Sequence, residues 1–333
     1  MLSRSALSSI RDFVFPAFVL VCAGVAGSAS PVDSKLVALV PPGAQIVAGI
    51  EDPHNPTSKG RLLLVTHSSN LDFNDWIALT GVDPQRQTDE VIEVAASSAE
   101  GELHEHLLLV AGQFERERVF RAALQNGASV IEYRGQGVLV VKPFAREAEE
   151  MTASRWMAIL DDRTTIFGSL ELVRQALDRY LSRSGPDDLL MARLRLLHSD
   201  VNSWNMLAMS APMLARHVAP GQLNAPWTHL LDGADELTVG IHYGSTDRID
   251  FAVHAVSRGN ASSLVGFLRA GFPAGPRIVQ AAASNEPRPR LQNLATEENR
   301  VRGSFLVRGK QFDAWIASVY NQRSSASNAE PRP

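Results

Sequence analysis

The sequence predicts an antiparallel α+β fold built from tandem split βαβ (ferredoxin-like) units, with the helices packed on one face of the sheets. Two observations lead there. Apolar periodicity switches repeatedly between 2 and 3.6 along the chain, and the resulting elements follow the order β-α-β-β-α-β, then recur more loosely. Spacing between the units is irregular, which excludes a solenoid of fixed period. With 45% hydrophobic and 20% charged residues among 333, a disordered, collagen-like or coiled-coil chain is excluded as well.

Residues 1–29 read as a secretory signal peptide. Arg4 and Arg11 precede an apolar run from Phe13 to Ala26, and Gly27-Ser28-Ala29 offers small residues to a signal peptidase, with Pro31 just beyond. As a helix that run rises about 21 Å, short of the roughly 30 Å of a bilayer core. If the segment Phe13–Ala26 is retained, it anchors the chain to a membrane; if it is removed, the protein is released. Cys22 is the only cysteine and lies within this segment. A mature chain starting near Ser30 therefore has no disulfide, thiolate nucleophile or cysteine-bound metal.

Residues 30–183 are expected to form one α+β domain of two βαββαβ-like units. Leu62–His67 reads as a strand, and Asn70–Thr80 places Phe73, Trp76, Ile77 and Thr80 at helical spacing, closed by Gly81. Val91–Ser97 and Glu105–Gly112 read as two strands. Glu115–Asn126 puts Val119, Phe120, Ala123 and Leu124 on one helical face before Gly127, and Ser129–Tyr133 returns to strand. In the second unit Val138–Val141 is a strand, Phe144–Ala153 a helix, and Trp156–Leu160 with Thr164–Gly168 a hairpin around Asp161-Asp162-Arg163. The helix Ser169–Arg183 carries Leu170, Val173, Leu177, Tyr180 and Leu181 on a stripe, with Ser169 as its cap.

Residues 184–199 read as a helical connection, 200–322 as a second α+β lobe and 323–333 as a disordered tail. In the lobe Trp204–Met209 is a strand, Leu237–Tyr243 and Ile249–Val256 a hairpin, Asn260–Gly271 a helix, Arg300–Val307 a strand and Lys310–Tyr320 a helix. Pro273–Glu298, rich in Pro, Ala, Asn and Glu, reads as a long loop.

Two constellations carry potential chemistry. His104 and His106 stand at i and i+2 on a strand, share a face and are metal-ligand candidates, although a catalytic zinc needs a third ligand such as His54, Asp52 or His67. In the hairpin, pairing Tyr243 with Ile249, Ile241 with Phe251 and Val239 with Val253 leaves His242 opposite Asp250, half of a triad. Both have ordinary structural explanations: a polar entry to a strand, and an exposed sheet face. Glu147, Glu149 and Glu150 fit a solvated helix face better than an ion site. There is no G-x-S-x-G, HExxH or Walker A, and Gly135-Gln136-Gly137 lacks the third glycine of a dinucleotide loop, fitting a hairpin turn instead. No catalytic residue and no cofactor is expected.

The run Leu39-Val40-Pro41-Pro42-Gly43-Ala44-Gln45-Ile46-Val47-Ala48-Gly49-Ile50, the element Thr80-Gly81-Val82-Asp83-Pro84 before Asp89-Glu90-Val91, and Ala158-Ile159-Leu160-Asp161 leading into Gly168 resemble a group of uncharacterised exported bacterial proteins. The likeness covers about residues 36–210. It implies export and an α+β fold, and assigns no chemistry.

A formal charge of -4 excludes the basic footprint that nucleic acid requires. These features together lead to the expectation of an exported, non-catalytic periplasmic or cell-envelope protein engaged in protein interaction or assembly. The alternatives are a carrier of a small hydrophobic ligand, lined by Trp76, Trp156, Trp204, Trp227 and Trp315, and a metal-dependent exported hydrolase.

Overall fold

The structure, a computed structural model, describes residues 35–51, 71–97, 103–141, 155–211, 213–214, 233–244, 246–271 and 290–308. In chain order these form a short 3-10 turn (Leu36–Leu39), β1 (Ile46–Glu51), α1 (Leu71–Thr80), α2 (Pro84–Gln87), β2 (Thr88–Ser97), β3 (Leu103–Gly112), α3 (Arg116–Gln125), β4 (Ser129–Tyr133) and β5 (Gln136–Val141). There follow β6 (Arg155–Ile159), β7 (Thr164–Gly168), α4 (Leu170–Ser182), α5 (Asp188–Leu194), β8 (Ser203–Ala208), β9 (Ala234–His242), β10 (Thr246–Ala255), α6 (Arg258–Gly271), β11 (Arg290–Glu297) and β12 (Arg300–Arg308). The predicted signal peptide, the strand Leu62–His67, the helices Phe144–Ala153 and Lys310–Tyr320, and the tail lie outside the described residues.

The α+β content matches the expectation; the ferredoxin-like arrangement does not. The strands follow the order β11-β12-β10-β9-β8-β1-β2-β3-β7-β6-β5-β4 in one antiparallel sheet of 12. A split βαβ unit would keep the two strands flanking a helix parallel, with another strand between them. Here β1 pairs directly and antiparallel with β2, Glu51 facing Glu90 and Ile46 facing Ala95. The chain therefore returns from α1 to the end of the sheet that it left. Gly81, in left-handed conformation (φ 64°), ends α1 by donating its N–H to the Ile77 carbonyl, and the single turn of α2 delivers the chain to β2. Element order alone does not encode that reversal.

The chain divides into two compact units, and among the described residues the first comprises 35–195 and 199–204, the second 196–198 and 205–308. In the first unit helices cover both faces of the sheet, which overturns the expectation of a single helical layer. Ile50, Val91, Leu108, Val110, Leu139, Met157 and Phe167 pack with Phe73, Trp76 and Leu79 of α1 and Val119 and Ala123 of α3. The other face is traced by the register Ile131–Val138–Ala158–Ile166–Leu109. Tyr133 and Trp156 share this face, and α4 meets it there: the Arg174 guanidinium lies 5.5 Å from the Tyr133 ring and 5.2 Å from the Trp156 ring. The signal for two covered faces is the unbroken run Leu107-Leu108-Leu109-Val110, all of it buried, where a strand with one wet face would alternate.

Residue chemistry explains most of the local details. Arg134 (φ 49°) and Gly135 (φ 79°) form the two-residue turn between β4 and β5 that the glycines suggested. The Asp161 carboxylate accepts the Arg163 N–H in the turn between β6 and β7. Ser169, however, makes no side-chain cap on α4, and the buried stripe of that helix is Leu172, Val173, Ala176 and Leu177, leaving Leu170 and Leu181 partly exposed. Within the stretch read as a long loop, Arg290–Glu297 is the strand β11, and Ile46–Glu51 is a strand that periodicity did not single out.

The second unit repeats the pairing order of the first. β2-β3-β7-β6 in one corresponds to β9-β10-β12-β11 in the other, with a helix, α3 or α6, following the first hairpin. The first unit adds the hairpin β4–β5 outside β6.

Candidate functional site

Of the predicted metal pair and its candidate third ligands, only the His106 side chain falls within the described residues. His104 has its backbone in β3 and its side chain outside the described residues, as are His54, Asp52 and His67. His106 pairs across from Ala95 on β2, and its carbonyl accepts the Ser169 N–H at 2.8 Å. A side chain at Gly168 would collide with that carbonyl, since a Cβ there would stand 2.2 Å from it. Among the described residues no group of three His, Cys, Asp or Glu side chains is assembled to hold a metal ion. Glu147, Glu149 and Glu150 also lie outside them.

The hairpin of β9 and β10 again leaves five residues, Tyr243–Asp247, between its last paired residues, but its register is slid by two. Ile241 faces Ile249, Val239 faces Phe251 and Leu237 faces Val253. A shift of two keeps every side chain on its expected face but changes its partner. His242 is therefore opposite Arg248, and Asp250 is opposite Gly240 on one side and Ser304 of β12 on the other. The half-triad of His242 and Asp250 is not formed.

What forms instead is a polar face on the second unit. Successive rows across β9, β10 and β12 are His242–Arg248–Leu306, Gly240–Asp250–Ser304, Thr238–Ala252–Arg302 and Glu236–His254–Arg300. The opposite face holds the apolar partners, with Phe251 lying across Gly303 to stack on Phe305 at 5.2 Å. Asp250 is buried, at 3% exposure. Burying a carboxylate is unfavourable unless it is paired and hydrogen-bonded. Arg248 Nε meets both carboxylate oxygens at 3.1 Å, Ser304 Oγ donates to Oδ1 at 2.7 Å, and His198 Nε2 lies 3.9 Å away.

Two rows further along β10, about 13 Å away at strand spacing, stands a second group that sequence reasoning missed. The register of β9 against β10 shifts between His254 and Ala255, so that Asp235 is an extra residue on β9 between Ala234 and Glu236. A bulge of this kind re-aims a side chain. The Asp235 carboxylate comes within 2.6 Å of His254 Nδ1, and Asn299 Nδ2 lies 3.0 Å from Nε2. With Nδ1–H donating to Asp235, Nε2 is left to accept from the Asn299 amide. This is the base-and-orienter half of a triad, but a carboxamide occupies the place of the nucleophile, and an amide nitrogen does not attack a carbonyl. No alternation pattern in the sequence marks a bulge, which is why the group was not legible.

The tryptophans proposed as a ligand lining are core residues where they are described. Trp76 is fully buried, stacked on Phe73 at 5.8 Å and edge-on to Phe114 at 5.9 Å, and Trp204 occupies the space above Gly49. Trp227 and Trp315 lie outside the described residues.

A further feature is the outer edge of the first unit. β4 pairs with β5 over all five residues without irregularity, from Ser129 opposite Val140 to Tyr133 opposite Gln136, and among the described residues is the terminal strand. A two-residue turn closes on a hydrogen-bonded pair, so alternate residues from Tyr133 bond to β5. The backbone N–H and C=O of Val130 and Glu132 consequently face away from the sheet. Val130 is 49% exposed. β11, the terminal strand of the second unit, is different: its register breaks between Gln292 and Ala295, with Asn293 at φ 53°, and such a bulge blunts an edge.

No helix among the described residues is long and apolar enough to cross a membrane. No family model, curated protein or solved structure matches the chain.

Proposed function

We propose that the protein is exported to the periplasm or cell envelope and acts there as a non-catalytic interaction module, receiving an extended segment of a partner protein on the edge of β4. The observation that carries this is the regular, half-exposed terminal strand, whose Val130 and Glu132 backbone groups face outward. Strand addition draws its affinity from such groups. The polar face of the second unit supports the reading from the other side, because its Asp250 and His254 already have partners within the protein. Export rests on Arg4, Arg11, the run Phe13–Ala26 and the small residues before Ser30.

Val130→Pro is the decisive variant. Its missing N–H is one that β5 does not use, so the hairpin is retained, whereas a docked strand loses a hydrogen bond and meets the ring. Native mass spectrometry of wild type and Val130→Pro purified from the host envelope should show a bound polypeptide in the first and not in the second, with equal thermal stability. A partner retained equally by both would remove β4 as the binding element. Fractionation with intact-mass measurement tests export, and a full-length cytoplasmic product would overturn it.

A further inference from the structure

We infer that the β4 edge selects an extended segment carrying a basic residue followed by two apolar ones; the inference rests on the strand-addition reading above. The argument starts from the alternation of β4. Ser129, Ile131 and Tyr133 share the face of the sheet on which α4 lies, and Val130 and Glu132 share the face on which α1 and α3 lie. Tyr133 is already engaged, donating its hydroxyl to Asp178 at 3.2 Å, and Arg134 holds the same carboxylate at 3.2 Å. Glu132 differs: it is exposed and, among the described residues, has no ion-pair partner. An incoming antiparallel strand bonds to the outward groups of Val130 and Glu132, and the residues it places directly opposite them carry their side chains on the same face as those two, within reach of them.

Read along the incoming strand, the residue opposite Glu132 comes first, that opposite Ile131 second and that opposite Val130 third. Opposite charges across a strand pair attract and like charges repel, and a β-branched or aromatic side chain packs best on an exposed valine. The occupant is therefore a basic–apolar–β-branched segment. A second copy of β4 fits less well. Centred on Ile131 it sets Glu132 against Val130, and centred on Glu132 it sets the two carboxylates together.

The test uses the full-length protein and two fluorescent eight-residue peptides, identical except for arginine or glutamate at the position facing Glu132, followed by valine and isoleucine. Wild type should bind the arginine peptide about five- to tenfold more tightly than the glutamate peptide. Glu132→Lys should reverse the preference, and Val130→Pro should abolish binding of both. Equal binding of the two peptides, lost in Val130→Pro, would overturn the charge selection and leave strand addition standing. Binding of both that persists in Val130→Pro, or no binding of either to wild type, would overturn strand addition itself. A concentration-dependent dimer that Val130→Pro dissolves would assign the edge to a second copy instead.

Discussion

The two units share a strand order and differ in what the second face of the sheet carries. In the first unit that face is Leu107, Leu109, Ile166, Ala158 and Val138, all buried, with α4 bearing down on it. In the second unit the face opposite Ile249, Phe251 and Val253 carries Arg248, Asp250, His254 and Ser304, which bond to one another and to their neighbours. Pairing order in both follows from hairpins and period-2 alternation on one apolar face. The second face is then available either for more hydrophobic packing or for a polar network, and the two units have taken different options. An apolar face requires a cover; a polar network requires that every charge in it have a partner.

The comparison can be broken most sharply in the first unit. Trp76→Ala removes a fully buried ring, stacked on Phe73 and edge-on to Phe114, from the core between α1 and the sheet. The expected loss is about 3–5 kcal/mol, measured by urea unfolding. Asp250→Ala should follow closely in the second unit. It removes the carboxylate that Arg248 Nε and Ser304 Oγ both meet and breaks a buried pair, a loss of about 3 kcal/mol. The double variant Arg248→Met with Asp250→Leu sharpens the contrast, because it converts the network to the chemistry of the first unit. It should unfold at a urea concentration well above that of Asp250→Ala; a double variant no better than the single would mean that this face tolerates no apolar replacement. Asn299→Ala removes one hydrogen bond to His254, with an expected loss of about 1 kcal/mol and faster amide exchange confined to the turn between β11 and β12. Smallest of all, Glu132→Lys should leave the unfolding free energy unchanged within about 0.5 kcal/mol, as expected for an exposed residue with no ion-pair partner among the described residues.

Much of the local structure was legible because it depends on neighbours in sequence. The spacing of Phe73, Trp76 and Thr80, the glycines at 81 and 127, and the hairpin turns at 134–135 and 161–163 each have one local solution, and the structure adopts it. Strands facing water were harder. β11 has one buried apolar residue, Leu291, and nothing in Arg290–Glu297 alternates strongly enough to separate it from a loop. Pairing was the real loss: whether β1 lies beside β2 depends on how the chain turns after α1, which no period measures. The site suffered for the same reason. A slip of two residues between β9 and β10 dissolved the pairing of His242 with Asp250, and a single extra residue at Asp235 created the contact to His254. Both are properties of register rather than of composition.

The packing of Trp204 over Gly49 has a consequence for heredity. The indole fills the space that a side chain at position 49 would need, its Cε2 standing 2.2 Å from where a Cβ would lie. Neither position can change alone without a clash or a void, although the two are far apart in the chain. Over generations they are bound to drift as one character: where a descendant of this sequence has exchanged Trp204 for a small residue, position 49 is the place to look for the volume that was lost.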